Sequence, residues 1–349
     1  MKKKNKLKII LIAFLTVVIL VLGSLVFYHE SLKGTGSQDE VVTITVEEGM
    51  SFNALLDELK AHDLIRNTMV AKIYLRLNTL NTLKANTYSL NKAMGTEEIL
   101  RIVTEGDFNY LEKTNLLVQE GLTIPEVASR VAEVTGASQE EVLAKWADPS
   151  YLNELINTYW FLDDTILQEG ILYPLEGYLY PETYIITSTN PTIEECTQMM
   201  LDMTDQHLST YREDIANMNW TVHEFLTMAS IIEREGQNET DYPKIAGVFM
   251  NRLNSGMLLQ SDITVLYALG RTGVDVSYAD LQTDSPYNTY MYEGLPIGPI
   301  SNVSDPIMNA LVHYEHHDYY YFYATPDGEV LYATTLAEHE ENVRNHPWS

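Results

Sequence analysis

The chain has 349 residues, 45% of them hydrophobic, which is enough for a buried core and more than one domain. Its formal net charge is −27; Lys2, Lys3, Lys4, Lys6 and Lys8 precede the first acidic residue, and without them 17 basic residues face 49 acidic ones, near −32. A body that acidic repels phosphate backbones and excludes nucleic acid as a partner, and the single cysteine, Cys196, excludes an intrachain disulfide.

Residues 9–28, IILIAFLTVVILVLGSLVFY, carry no charge. As a helix they reach roughly 30 Å, the hydrocarbon thickness of a bilayer. The lysines before them place a basic tail, residues 1–8, on the cytoplasmic side. The sequence after Tyr28 offers no small-x-small cleavage site, so an uncleaved single-pass anchor is expected rather than a signal peptide. The rest of the chain is then extracytoplasmic, beginning with a flexible linker over 29–40.

VVTITV, residues 41–46, alternates β-branched side chains and predicts a strand. Gly49 supplies a turn, Ser51 a helix cap, and Phe52, Leu55, Leu56 and Leu59 an apolar face. The same order returns 72 residues later. A strand ends at Val118, Gly121 turns the chain, Thr123 caps, and Ile124, Val127 and Val131 repeat the spacing. Between the copies, residues 84–106 predict a short strand and a helix from Thr96. Helices are expected over 139–146, 149–158 and 191–217, the last holding Cys196 as a small core side chain. Residues 172–186, with Pro174, Gly177 and Pro181, read as a loop entering a strand. A hairpin closes around Asp327–Gly328, and a final helix begins near Thr335.

The chemistry concentrates in TMASIIEREG, residues 227–236. Thr221 and Glu224 form a capping box, and Gly236 stands where a helix C′ residue belongs, so a helix spans 222–235. Val222, Leu226, Ala229 and Glu233 share one stripe, with Glu235 about 160° away as an ordinary solvated charge. An inward carboxyl has a raised pKa and holds the proton a general acid needs. Pairing with a buried arginine such as Arg252, or exposure at a frayed helix end, is the competing reading. A second helix starts at Pro243. LLQSDITV then sets Gln260, Ser261, Asp262 and Thr264 in one loop, and SPYNTY brings Tyr287, Asn288, Thr289 and Tyr290 beside a Gly/Pro-rich turn. Such mixtures suit sugars, since amides and hydroxyls bond ring substituents while aromatic rings stack on C–H faces. HYEHH places His313, His316 and His317 at metal-like spacing, but in a loop setting that is expected to hold no metal. No phosphate loop or dinucleotide fingerprint is present, and no cofactor is expected.

In their order and spacing, ASIIEREG, AGVFMNRL, LQSDITV, SPYNTY and GLPIGPISN, with EGYLYPETY and TTLAEHEENV, resemble the YceG-like (MltG) family of endolytic murein transglycosylases. The resemblance runs from about 41 to 343. It implies an α+β protein: a transmembrane helix, a small LysM-like β-α-α module over 41–110 and a mixed α+β catalytic domain over 111–349. It implies cleavage of the β-1,4 bond between N-acetylmuramic acid and N-acetylglucosamine in peptidoglycan strands, with 1,6-anhydro ends, and possible association with a cell-wall synthesis complex. Glu233 matches the family's catalytic glutamate. The residues of the two loops, Gln260, Ser261, Asp262, Thr264, Tyr287, Asn288, Thr289 and Tyr290, together with Glu182, are expected to contact substrate. Ile263 and Ile297 stand where the family usually has proline, and Glu329 where a histidine is common. Two alternatives stay open: a hydrolytic muramidase, with Asp262 or Glu182 as partner to Glu233, and a membrane-tethered wall-binding protein without chemistry.

Overall fold

The computed structural model describes residues 2–236, 238–273 and 276–347. The described residues form a mixed α+β protein of thirteen α-helices and three two-stranded sheets. They divide into two compact units: Met1–Thr114 with Ile185–Asn190, and Asn115–Tyr184 with Pro191–Ser349.

In the first unit, α1 (Lys2–Leu32) exposes its apolar side chains along its length and is long and apolar enough to cross a membrane. Strand β1 (Val41–Val46) leads into α2 (Phe52–Ala61) and α3 (Thr68–Leu77); β2 (Asn86–Asn91) and α4 (Thr96–Glu105) follow. β1 and β2 pair antiparallel, with Val46 opposite Asn86 and Val41 opposite Asn91. The two-residue period sends Ile44, Val46, Tyr88 and Leu90 to one face, where they meet Leu55, Leu56 and Leu59 of α2 and Ile99, Leu100 and Val103 of α4. Ser51 accepts the Ala54 N–H and Asn67 accepts those of Met69 and Val70, which fixes the starts of α2 and α3. Helix α3 is not among the elements expected from the sequence; its Met69, Ile73 and Leu77 side chains are exposed rather than part of the core.

The second unit contains β3 (Thr114–Val118) from Asn115 on, α5 (Ile124–Thr135), α6 (Gln139–Trp146) and α7 (Pro149–Thr158), then β4 (Glu182–Ile186) as far as Tyr184; β4 pairs with β3. Next come α8 (Ile193–Asn217), α9 (Val222–Glu235), α10 (Tyr242–Asn254), α11 (Asp262–Ala268) and α12 (Asp305–Val312). The hairpin β5 (Tyr321–Ala324) and β6 (Val330–Ala333) and the helix α13 (Leu336–Asn345) complete it. The repeated unit keeps its geometry: Gly49 and Gly121 both take positive φ, and α2 and α5 start one residue after Ser51 and Thr123.

Helix α9 is the axis of this unit. Every residue from Phe225 to Ile232 is buried, with α10, α11 and α12 packed around it. Burying each large apolar side chain contributes about 1.5–3 kcal/mol, so the helix is held from all sides rather than by one face. Two expectations change here. Asp262 and Thr264 are not loop residues; they open α11, with Ser261 at the N-cap position. Gly236 does not adopt the left-handed cap conformation but φ −78°, ψ 136°. Glycine is needed there for space, because a Cβ would lie 2.3 Å from the Tyr242 ring.

Candidate active site

Glu233 lies on the last turn of α9, partly buried. Its Oε2 accepts two hydrogen bonds from Ser304, the backbone N–H at 2.8 Å and the hydroxyl at 2.7 Å. Among the described residues no bond reaches Oε1. Ser304 is the N-cap residue of α12, yet its hydroxyl makes no capping bond to that helix; Glu233 takes it instead. Withdrawal from water pushes the Glu233 carboxyl above the ordinary glutamate range, the Ser304 bonds oppose that shift, and the nearby Glu120 charge adds to it.

The loop 119–122 packs on this carboxyl. A Cβ on Gly121, which sits at φ +70°, would come 3.8 Å from the Glu233 Cγ. Arg234 donates to the Gly121 carbonyl at 3.1 Å. Asn302 clamps the same loop from the other chain segment: its Oδ1 accepts from the Leu122 N–H, its Nδ2 donates to the Gln119 carbonyl, and its own N–H donates to the Leu122 carbonyl. The Gly/Pro-rich segment before Asn302 is fastened to α9. Ile300 N–H donates to Ser230 Oγ at 3.0 Å, and His223 bridges the Ile297 carbonyl and the Tyr178 hydroxyl. Ile297 also donates its N–H to the Pro286 carbonyl, a bond that proline at this position lacks.

Glu235 is not the solvated charge that helical periodicity suggests. Its Oε1 accepts the Ser261 hydroxyl at 2.7 Å. Burial raises its pKa, and Asp262 adds to the rise while the Ser261 bond and Arg252 and Arg234 counter it. The reason is local packing at the end of α9: Glu235 is partly buried and meets Ser261 at the start of α11, which packs on this helix. Arg252 pairs with neither glutamate by hydrogen bond. Its guanidinium donates to the carbonyls of Tyr320 and Leu259, and its charge acts on Glu235.

The expected substrate contacts divide into two sets. Ser261, Thr264 and Thr289 are buried and bond one another: Ser261 N–H to Thr289 Oγ1 at 3.0 Å, Thr264 Oγ1 to the Ser261 carbonyl at 2.7 Å. Asn288 is buried, and its amide folds its own loop by donating to the Leu281 and Thr283 carbonyls and accepting from the Tyr290 N–H. Tyr287 is buried against Tyr267. These five shape the site from behind, so their polar atoms are already occupied. Gln260 and Asp262 are exposed and Tyr290 half-exposed, with the Tyr290 hydroxyl donating to Asp262; they remain open to a ligand. Gln260 holds φ +49°, an uncommon conformation for a side-chain-bearing residue, and its N–H donates to the Thr289 carbonyl. Glu182 stands apart on β4, exposed, accepting the Thr183 N–H, with none of its hydrogen bonds to the other candidates. Among the described residues no group of three His, Cys, Asp or Glu side chains is arranged to hold a metal ion.

Sequence reasoning overlooked Glu176, in the EGYLYPETY block. It is 2% exposed and accepts the Ile124 N–H at the start of α5 and the Tyr267 hydroxyl of α11. Burial pushes its pKa up to about 8. Three glutamates in this unit are therefore displaced upward. Glu176 is enclosed, whereas Glu233 and Glu235 are both partly exposed and each is held at one carboxylate oxygen, Glu233 by Ser304 and Glu235 by Ser261. Ser304, Asn302 and Glu120 were also missed, and only the SN of the GPISN block hinted at the first two.

A family model described as the YceG-like family matches residues 44–345. An endolytic murein transglycosylase of Bacillus subtilis is 35% identical over 325 residues, covering 92% of this chain and 90% of that one. One of Streptococcus pneumoniae is 34% identical over 321 residues, covering 87% of this chain and 58% of the longer relative. A crystal structure of a yceG-like protein from Listeria monocytogenes superposes with a TM-score of 0.64 at 38% identity, covering 87% of this chain and 99% of the other.

Proposed function

The chain belongs to the YceG-like family, and on that premise we propose that it is a membrane-anchored lytic transglycosylase of peptidoglycan with Glu233 as its acid–base group. The activity is the one named for its relatives from B. subtilis and S. pneumoniae. The observation that carries the residue assignment is the one-sided hold on Glu233: Ser304 fixes Oε2, and Oε1 stays available for a proton.

In this reading the protonated Oε1 delivers its proton to the glycosidic O4 of N-acetylglucosamine as the bond from the muramyl C1 to O4 breaks. The developing oxocarbenium is attacked by the muramyl C6 hydroxyl oxygen, which closes the 1,6-anhydro ring. The C6 hydroxyl proton passes to Glu233, which regains its starting state. The step is redox-neutral and needs no activated water, so a second carboxylate at the spacing of a two-carboxylate glycosidase is not required. Gln260, Asp262 and Tyr290, the exposed members of the two loops, are assigned to hold the sugar, and the buried members to hold those three in place.

The remaining architecture follows the same reading. Helix α1 anchors the chain with its N-terminus cytoplasmic, residues 41–110 form a LysM-like module, and the domain over 111–349 acts on strands near the synthesis machinery. Purified glycan strands treated with the wild-type chain should give muropeptides ending in 1,6-anhydro groups by mass spectrometry, resistant to borohydride. Glu233→Gln should give none while retaining its circular dichroism spectrum. Borohydride-reducible ends would identify a muramidase instead, and binding to sacculi with no released product would identify a wall-binding protein.

A further inference from the structure

We infer that α3 is a lipid-contacting element: its Met69–Ile73–Leu77 face and the adjoining half of α1 form one apolar surface that lies among the acyl chains of the leaflet next to the folded module. The inference rests on the reading of α1 as a membrane span and extends it to a second helix.

Met69, Ile73 and Leu77 recur every four residues, so they share one side of α3. They are 73%, 40% and 72% exposed, although Ala71 on the opposite side of the helix is buried in the module's core and Val70 is buried at the floor of this face. This exposed side is adjacent to α1, and together they border a groove of about 720 Å³. Its walls are Val17, Leu20, Val21, Leu25 and Phe27 on one helix and Met69, Ile73 and Leu77 on the other. The polar atoms there are largely taken internally. Ser24 donates its hydroxyl to the Leu20 carbonyl, and the Asn67 side-chain oxygen caps α3.

Position along α1 names the occupant. The groove runs from Val17 to Tyr28, roughly 16 Å at 1.5 Å per residue. That is about half of a hydrocarbon core of ~30 Å. If residues 9–28 span the core, the helix alongside 17–28 cannot stand in water; it must sit in the same leaflet. The polar fringe of α3 agrees. The helix carries Lys72 and Arg76 and no acidic residue, in a chain of net charge −27, so its bases can reach anionic headgroups while their stems lie along the apolar surface. Tyr28, the last residue of the charge-free run, lines the end of the groove where an interfacial aromatic ring is expected. The surface is thus continuous with the span, apolar where acyl chains lie and basic at its rim.

Full-length protein with Cys196→Ala, carrying a spin label at a single new cysteine, is to be reconstituted in phosphatidylcholine–phosphatidylglycerol vesicles. Leu20→Cys reports the span, Met69→Cys, Ile73→Cys and Leu77→Cys report α3, and Glu340→Cys reports water. All but Glu340 are exposed apolar positions, so the fold should tolerate the labels. The expected result is that the three α3 labels, like Leu20→Cys, collide several-fold more with oxygen than with a water-soluble nickel chelate, and Glu340→Cys the reverse. If Leu20→Cys prefers oxygen but the α3 labels prefer nickel, the anchor stands and the inference is wrong. If Leu20→Cys itself prefers nickel, the span reading fails and takes the inference with it. Shielding of the α3 labels from both reagents would show that protein, such as a second copy, covers the face, and would also overturn it.

Discussion

Replacing Ser304 by alanine removes one of the two bonds to Glu233 Oε2 and leaves the backbone N–H bond in place. A hydrogen bond to an ionised carboxylate contributes about 1.5–3 kcal/mol, and the partial exposure of Glu233 favours the lower end. Since ~1.4 kcal/mol is a factor of ten, the variant should raise the protonated fraction of Glu233 roughly tenfold at any pH above its titration. The sign is fixed: the lost bond stabilises the charged form, so the pKa rises further and the alkaline limb of the pH–rate profile moves to higher pH. Maximal kcat should fall, because the carboxyl is held at one point instead of two. By linkage the same tenfold costs about 1.4 kcal/mol of stability above the Glu233 titration and little well below it, whereas the pH-independent cost of about 1 kcal/mol for a lost N-cap does not apply, because the Ser304 hydroxyl makes no capping bond to α12. The assay is release of anhydro-muropeptides across pH, with thermal unfolding in parallel. An alkaline limb that stays put, or moves down, together with a melting temperature lowered equally at low and high pH as for a lost cap, would refute the assignment of the Ser304 hydroxyl to Glu233.

Glu233→Gln should raise the melting temperature at neutral pH. The folded-state pKa of Glu233 lies above its unfolded value, so the stability this carboxyl contributes is full below the unfolded pKa and is lost as pH rises through the folded one; glutamine removes that loss. Glu176 obeys the same sign, and its contribution to unfolding free energy should decline from about pH 4.5 and level off once the pH has passed about 8, with Glu176→Gln flattening the decline in denaturant titrations at pH 5 and 9. Glu176→Leu leaves the Ile124 N–H and the Tyr267 hydroxyl without partners, at about 1–3 kcal/mol each, and should lower the melting temperature by roughly 5–15 °C. Gly236→Ala adds a methyl 2.3 Å from the Tyr242 ring at an unstrained φ, so its cost of about 1–3 kcal/mol should shrink when combined with Tyr242→Ala; an undiminished cost in the double variant would locate the effect in the backbone.

The sequence by itself determined what depends on near neighbours. The charge-free run of 9–28 is a helix because nothing in it opposes one, and its length matches a bilayer. The capping box at Thr221 and Glu224 set the start of α9, and the repeated strand–glycine–cap order set two helix starts 72 residues apart. The inward turn of Glu233 was legible for the same reason, since its stripe is written within three turns of helix.

Only the tertiary structure decided what surrounds those elements. Ser304 reaches Glu233 across 71 residues, Asn302 reaches Leu122 across 180, and Tyr267 reaches Glu176 across 91. No local period records such pairings. The misreading of Glu235 has the same origin: periodicity assigns a helix an inside and an outside, but Glu235 meets Ser261 at the start of α11, which packs on α9. Likewise the composition of the SPYNTY and LQSDITV segments announced polar chemistry without saying which groups are already bonded to the protein. Burial and hydrogen bonding took Thr264, Asn288 and Thr289 for the scaffold and left Gln260, Asp262 and Tyr290 facing out, because the backbone groups of a tightly folded loop must be satisfied before any ligand can be.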